Sequence, residues 1–216
     1  SFGNGAYKMH DRFVGELAYG TDTSQQVSFS ALVGMRQEEL SDWTLRSSIG
    51  VTYKPADQFS LDLDLNYFER TGWLLHNTDR LMSKYDAGDF QPRLGMDIFF
   101  TAKQQLRLTV QWAAIKAEVT EFLVIPEQGG TLVSLEDSNG YIPINSVRED
   151  FALSRLTSQI RYRWEIGPLS DFFLVYTRGS NLPNRVEESY GELWEDAISY
   201  PIVDTYVAKL RYRFGN

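Results

Sequence analysis

The sequence predicts an all-β protein, an antiparallel transmembrane β-barrel of the outer-membrane type, with about 9 to 10 strands in this chain. Three observations predict it: apolar and polar residues alternate over long runs, tight turns alternate with longer connections, and aromatic rings recur at two levels of the runs. Residues 1–216 then form a single β-barrel domain or a barrel fragment.

Composition excludes several other classes. The chain has no cysteine, which rules out a disulfide scaffold and cysteine-ligated metal sites. Its formal net charge of -8 makes nucleic acid a poor partner, because affinity for phosphates comes from clustered Lys and Arg. A membrane-spanning helix needs about 20 mostly apolar residues. The longest stretch without a charge, residues 23–35, is rich in Ser and Gln, so we predict no such helix.

The alternation is clearest over residues 42–54, where Leu45, Ile49 and Val51 alternate with Arg46 and other polar residues. The same pattern occupies residues 59–67, 94–101, 106–112, 156–165 and 206–214, and weaker versions occupy 13–20, 27–33 and 172–178. A bilayer-crossing strand needs about 9 to 11 residues, whereas ordinary strands average about 5 to 6. The length of the runs therefore favours a membrane barrel.

The connections are asymmetric, since tight turns at residues 21–24, 55–58, 103–104 and 167–170 alternate with mostly longer segments. We predict long external loops at residues 71–89, 125–150 and 179–200. Short turns on one side and long loops on the other are typical of outer-membrane barrels.

Aromatic residues at the ends of the runs predict two interfacial girdles. Trp43 and Tyr53 are ten residues apart on one face, and at roughly 3.3 Å per residue and a tilt of about 40° they span roughly 25 Å of bilayer. A soluble β-sandwich binding module is the alternative, because aromatics also favour strands and soluble cores. The predicted girdle residues are Trp43, Tyr53, Phe59, Tyr67, Trp112, Phe122, Trp164, Tyr206, Tyr212 and Phe214.

The charged residues of the runs fall on the opposite parity, which directs them to the barrel lumen, because a charge facing lipid costs about 2 to 4 kcal/mol at the midplane. A lumen of mixed sign fits a hydrated channel or a cross-linked interior. A basic cluster near the turn side either favours anions or pairs with Asp62 and Asp64; it consists of Arg161, Arg163, Lys209, Arg211 and Arg213. The predicted lumen-facing residues are Arg46, Asp62, Asp64, Asp97, Arg107, Arg161, Arg163, Glu165, Lys209, Arg211 and Arg213.

Acidity concentrates in two of the predicted loops, 125–150 and 179–200, each with five acidic residues and one basic residue. Four roles are compatible with such a surface: binding of divalent cations, repulsion of lipopolysaccharide, docking of a basic partner, or simply keeping the loops soluble in water. The acidic residues that we single out are Glu136, Asp137, Glu187, Glu188, Glu192, Glu195 and Asp196.

Candidate chemistry is sparse. His76 lies beside Asn77 and Asp79, which would suit a hydrolase only if a nucleophile joined them, and a solvated loop histidine is the simpler interpretation. Residues 136–140 have a fragment of calcium-loop composition without its remaining oxygen ligands. We therefore predict no catalytic residues, no metal site and no cofactor.

Three stretches resemble a known family. Residues 158–179 (SQIRYRWEIGPLSDFFLVYTRG), the closing residues 207–214 (VAKLRYRF) and, less specifically, residues 48–70 (SIGVTYKPADQFSLDLDLNYFER) are similar to the C-terminal barrel region of large bacterial outer-membrane proteins. In those proteins a carbohydrate-binding family 9-like domain precedes a barrel of undefined function. The resemblance implies a link to carbohydrate handling and a barrel completed by a preceding segment or another chain.

Together these features predict a non-enzymatic protein of the bacterial outer membrane that acts as a passage, anchor or scaffold at the cell surface. Its expected partners are the lipid bilayer, lipopolysaccharide and the segment or chain that completes the barrel or complex. Two further alternatives are a barrel subunit of an outer-membrane secretion or assembly complex and an outer-membrane hydrolase that uses His76.

Overall fold

A computed structural model describes residues 6–9, 11–138 and 149–214. Ten strands, one short 3-10 helix and one α-helix make up the described chain. The strands are β1 (Val14–Gly20), β2 (Val27–Gln37), β3 (Trp43–Ala56), β4 (Phe59–Thr78), β5 (Leu81–Thr101), β6 (Gln104–Val124), β7 (Val133–Ser134), β8 (Phe151–Gly167), β9 (Ser170–Asn184) and β10 (Val203–Arg211); the 3-10 helix is Leu135–Asp137 and α1 is Tyr190–Ser199.

The strands form one antiparallel sheet in which neighbours in sequence are neighbours in space. The two-residue β7 pairs only with the end of β6, so β8 lies beside β6 along most of its length. The prediction of an all-β antiparallel fold is confirmed. Within the described residues β1 and β10 each have one partner, so the sheet is open and not closed into a barrel. The two-sheet sandwich that the sequence left open does not form among these residues.

One end of the sheet, which we call the turn end, has short connections. Residues 57–58, 102–103 and 168–169 join long strands through two-residue turns, and residues 21–26 join β1 to β2. Leu169 takes the left-handed conformation with φ of 57° in its turn. The predicted tight turns are therefore present, and the opposite end of the sheet is called the loop end below.

The prediction of a long loop over residues 71–89 is wrong. β4 and β5 continue through this segment as a hairpin and meet at a turn formed by Asp79 and Arg80. The register shifts after Arg70, where Gly72 adopts a φ of 72° and donates its backbone N–H to Asp86 at 2.9 Å. A bulge of this kind inserts one extra residue into a strand, so the apolar and polar residues exchange faces beyond it. The strand therefore continues although the sequence alternation is interrupted.

The segments at residues 125–150 and 179–200 also differ from plain loops. β9 extends to Asn184 and α1 occupies most of the remaining connection to β10. Residues 125–150 include β7 and the 3-10 helix, and their part from 139 to 148 lies outside the described residues. Among the described residues no helix is long and apolar enough to cross a membrane.

The buried apolar residues of the described chain all lie in the loop half of the sheet or in the segments that cover it. One cluster joins Trp112, Leu156 and other sheet residues to Leu193 and Ala197 of α1. A second cluster, built on Leu74, Met82, Leu123 and Ile125, is covered by Tyr7, Leu40 and Leu132. A third, built on Tyr85, Ala87 and Ala117, packs against Trp73, Leu75, Val119 and Phe151. Within the described residues, the turn half of the sheet has no such cover.

Candidate functional site

The turn half has a reversed pattern of burial. On β3 Ile49 is 57% exposed, whereas the polar Thr44 is only 3% exposed. On β2 Val33 is 65% exposed and Ser28 is 5% exposed. In a water-soluble fold the apolar side chains of a strand face the core and the polar ones face water. Here the register aligns the apolar residues of neighbouring strands into one continuous surface of exposed and half-buried side chains, which we call the apolar face.

Most of the rings predicted for the girdles are exposed. Tyr206 is 72% exposed and stacks on Tyr176 with ring centroids 4.5 Å apart, and Phe59 is half-buried with its ring 6.2 Å from that of Tyr53. Such rings supply large apolar area with, in tyrosine and tryptophan, a polar tip. The exposed members are Trp43, Tyr53, Tyr67, Trp164, Tyr206, Tyr212 and Phe214.

Two of the predicted girdle rings are placed differently. Trp112 is 6% exposed because the helix α1 covers it, and its ring lies 5.2 Å from that of Trp194. Phe122 is half-buried and lies beyond a register shift between β5 and β6, so the even spacing from Trp112 no longer keeps the two rings on one face. Neither ring belongs to the exposed apolar surface.

The helix α1 is fixed to the apolar face by a chain of hydrogen bonds. The indole N–H of Trp112 donates to Oγ of Ser154 at 2.8 Å, and that hydroxyl donates to the carbonyl of Leu193 at 2.8 Å. Arg178 also donates to the carbonyl of Ile198. Burial beside the sheet, with Tyr67 and Asp89 nearby, raises the pKa of Tyr190 to about 12. The loop half of the apolar face is therefore covered by the protein itself.

Several of the acidic residues predicted to form a loop surface instead stabilise this helix. Ser189 is the N-cap, and Glu192 completes a capping box by accepting the backbone N–H of Ser189 at 2.7 Å. That bond and the bond from the Ser189 hydroxyl hold the pKa of Glu192 below its usual value. Asn184 donates to Glu188 and to Asp196 at 2.9 and 3.0 Å. The remaining residues Glu136, Asp137, Glu187 and Glu195 are exposed.

The opposite side of the sheet is the polar face, and the strand register brings the predicted charged residues of the strands together there. Asp62 pairs across β3 and β4 with Thr52, and Asp97 pairs across β5 and β6 with Arg107. Arg107 in turn lies opposite Arg161 of β8. By the same alternation this face carries Arg46, Asp62, Asp64, Asp97, Arg107, Arg161, Arg163, Glu165, Lys209 and Arg211. Arg213 follows β10, and its backbone N–H donates to Ser170 at 3.1 Å.

Two arginines of the basic cluster, Arg163 and Arg211, pair with Asp171, an acidic residue that the sequence did not single out. Arg163 lies 2.9 Å from Asp171, and Arg211 donates to the other carboxylate oxygen. Asp62 instead accepts hydrogen bonds from Thr52 at 2.7 Å and from Ser60 at 3.0 Å. The expected pairing of this cluster with Asp62 and Asp64 is therefore wrong. The sequence could have indicated this pair, because Asp171 lies at the start of a strand that follows a tight turn and therefore lies close to Arg163 on the preceding strand.

The loop end of the polar face holds a buried carboxylate, Glu38. Its side chain is 2% exposed and accepts hydrogen bonds from Thr44 and from Arg36, the latter at 2.9 Å. Burial alone would raise the pKa of Glu38, but these two hydrogen bonds and the nearby positive charges together lower it. The carboxylate therefore stays ionised and fastens the turn after β2 to β3.

Among the depressions that indent the polar face are two large ones. One, of about 440 Å³, is lined by Asp62, Asp64, Asp97 and Arg107 among others. The other, of about 460 Å³, is lined by Arg93 and Arg155 together with neutral polar side chains. Both arginines alternate with apolar residues in the same way as the other residues of the polar face. The sequence alternation could therefore have placed them on this face, although we did not predict them.

The two weaker candidates do not assemble into sites within the described residues. A ring nitrogen of His76 lies 2.9 Å from the backbone carbonyl of Asp79, and Asn77 donates to Ser83 at 2.8 Å. Glu136 and Asp137 lie in the 3-10 helix, and residues 139 and 140 of the calcium-like fragment lie outside the described part. No group of three or more metal-ligating His, Cys, Asp or Glu residues gathers in the described ranges.

The fold and its two unlike faces define a class, a protein built on one open, ten-stranded antiparallel sheet with charged residues on one side and exposed apolar residues on the other. The chain belongs to the family described as a domain of unknown function (DUF5916), whose profile matches residues 3–214. A search of curated proteins and a search of solved structures each gave no significant match.

Proposed function

We propose that this chain forms part of the wall of a bacterial outer-membrane β-barrel, without enzymatic activity of its own, and serves as a passage, anchor or scaffold at the cell surface. The observation that carries the proposal is the reversed burial of the turn half. Exposing Ile49, Val33 and Tyr206 to water is unfavourable, whereas a lipid bilayer accepts the same surface.

The extent of the uncovered apolar face supports the proposal. The longest strands, β4, β5 and β6, have 20, 21 and 21 residues, about twice the 9 to 11 that cross a bilayer. Their loop half is covered by α1 and by the loops over Leu74 and Met82, and nothing in the described part of the chain covers their turn half. We infer that the turn half lies in the membrane and that the loop half projects from it.

The polar face then lines the interior. Its charges are mutually compensated in part by ion pairs such as Arg107 with Asp97 and Arg163 with Asp171, both at 2.9 Å. Lipid and lipopolysaccharide would contact the opposite, apolar face. A connection with carbohydrate handling rests on the resemblance alone and would be tested by glycan binding to the intact protein.

The two free edges of the sheet favour completion of the barrel by further strands. Within the described residues β1 is paired only with β2, and β10 only with β9. Unpaired backbone N–H and C=O groups are not tolerated in the hydrocarbon region of a bilayer. A preceding segment or another chain would supply the partners, and in the second case the protein would be a subunit of an outer-membrane secretion or assembly complex.

Fractionation of cells that contain the intact protein tests the proposal. We expect the protein in the outer-membrane fraction, resistant to carbonate and high salt and released only by detergent, with a shift in electrophoretic mobility on boiling. Recovery in the soluble fraction without detergent would contradict it. Co-purification of a stoichiometric second chain would favour the complex subunit, and a single species would favour completion by a preceding segment.

A further inference from the structure

We propose that the second depression of the polar face, between β4 and β8, is a binding site for small oxyanions, with Arg93 and Arg155 as its charged ligands. The site rests on the proposed function, since a face that lines a barrel interior is where a solute would meet it. Its volume is about 460 Å³. The polar lining consists of Arg93, Arg155, Asn66, Gln91, Gln111 and Thr157.

The register places the two arginines on either side of β6. Arg93 of β5 lies opposite Gln111, and Arg155 of β8 lies opposite Ala113, two residues along the same strand. Adjacent strands are about 4.8 Å apart, so β5 and β8 are roughly 10 Å apart across β6. Two arginine side chains directed to the same face can close that gap around one anion. A guanidinium group binds the oxygens of a phosphate or carboxylate through paired N–H groups.

The two arginines differ from most other charged residues of this face because no carboxylate of the described residues neutralises either of them. Arg70 pairs with Asp89 at 2.9 Å, and Arg107 pairs with Asp97 at the same distance. Within the described residues no carboxylate lies within 4.0 Å of the Arg93 or Arg155 guanidinium. Asp64 is the register partner of Arg93, yet the two side chains form no ion pair.

The neutral lining adds polar groups without adding negative charge. Gln111 and Thr157 make no side-chain hydrogen bond within the described part of the chain, so their donors remain available. Gln91 donates to Asp89 at 2.8 Å, which holds that amide beside the depression. The lining therefore offers two guanidinium groups and several neutral hydrogen-bond donors. This set of groups favours an oxyanion as the ligand.

The charges on the β6 to β10 side of the depression would draw an anion toward it, whereas the β4 and β5 side also carries Asp64, Asp89 and Asp97. From β6 to β10 the polar face carries more basic than acidic residues, and Arg107 and Arg161 lie directly opposite each other. Arg107 is already paired with Asp97 at 2.9 Å, so the attraction for a solute anion comes from the other basic residues. The basic residues are Arg107, Arg155, Arg161, Arg163, Lys209 and Arg211, and the acidic ones are Glu165 and Asp171.

Calorimetric titration of the purified intact protein in detergent, first with inorganic phosphate and then with succinate, tests the site. We expect saturable binding of at least one anion, weakened about tenfold by either Arg93→Gln or Arg155→Gln. Arg46→Gln is the matched control, because it removes one positive charge from the same face outside the depression and should change the affinity less than twofold. Tighter phosphate binding would identify phosphate compounds as ligands, and tighter succinate binding would identify carboxylates.

A second measurement needs no variant. Phosphate or succinate should protect Arg93 and Arg155 from modification by phenylglyoxal, as read by peptide mass spectrometry, and should leave Arg46 unprotected. Absence of saturable binding of both anions, or an equal loss in Arg46→Gln and Arg155→Gln, would overturn the site. A protein that needs detergent but binds neither anion would contradict this inference alone, whereas binding by a protein that is soluble without detergent would contradict only the membrane assignment.

Discussion

Asp171 at the start of β9 accepts two hydrogen bonds from the Arg163 guanidinium of β8, at 3.0 Å from Nε and 2.9 Å from Nη2. Its second oxygen accepts from Arg211 of β10. The carboxylate is 2% exposed. Through these bonds it joins β8, β9 and β10 at the turn end of the sheet. This tie matters most for β10, all of whose residues are otherwise exposed.

Replacing Asp171 by Asn should loosen β10. The amide keeps the shape of the carboxylate but loses its charge, so both arginines lose their ionic partner. Hydrogen exchange of residues 203–211, measured by mass spectrometry in the intact protein, should become faster. Asp62→Asn is the control, because Asp62 is held by hydroxyl groups rather than arginines. Equal exchange in the two variants would show that the arginine pairs do not hold β10.

Ser154→Ala should weaken the attachment of α1. The buried hydroxyl joins the indole of Trp112 to the carbonyl of Leu193, and its removal leaves both groups without that partner. An unsatisfied buried polar group costs about 1 to 3 kcal/mol. Denaturant unfolding followed by tryptophan fluorescence should show a loss of this size. Ser158→Ala, on the same strand and face, should change stability much less, and an equal loss in both would contradict the assigned role.

The attachment of α1 should also depend on pH through Glu192. Its pKa in the folded protein lies below the usual value, so ionisation of Glu192 stabilises the fold. This contribution is complete above the usual carboxyl pKa of about 4.3 and is lost as the pH falls through the lower folded value. Stability measured by denaturant unfolding should therefore fall in acid. Glu192→Gln should remove this part of the dependence, and an unchanged pH profile in that variant would contradict it.

A charge on the apolar face should be costly, and the same charge on the polar face should not. Ile49→Lys places an ammonium group on a face that we assign to lipid, at an expected cost of about 2 to 4 kcal/mol. Ser48→Lys is the neighbouring control on the polar face. Urea-dependent folding into phospholipid vesicles measures both. Similar stabilities for the two variants would count against a lipid-facing Ile49.

The alternation of β3 could be predicted because it is local. Each of Leu45, Ile49 and Tyr53 reveals its face through its immediate neighbours, and the structure exposes all three. The tight turns that join β3 to β4, β5 to β6 and β8 to β9 were also visible in the sequence. The hairpin over residues 71–89 was missed because the bulge beside Gly72 shifts the pattern by one residue.

The helix contacts could not be predicted from local pattern. Trp112 has the parity and spacing of a girdle residue, and its burial depends on Leu193 and Trp194, about eighty positions later in the chain. Asp171 was likewise assigned no partner, because its two arginines come from strands on either side. Pairing between distant side chains depends on register, which a single strand does not specify.

Accessibility scanning of residues 47–53 most directly tests whether the apolar face meets lipid. The chain has no cysteine of its own, so single cysteines can be spin-labelled one position at a time in the intact protein in vesicles. We predict that labels at residues 47, 49, 51 and 53 collide with oxygen dissolved in the bilayer, and that labels at 48, 50 and 52 collide with a water-soluble nickel complex. Equal access of the nickel complex to both sets would contradict the membrane assignment.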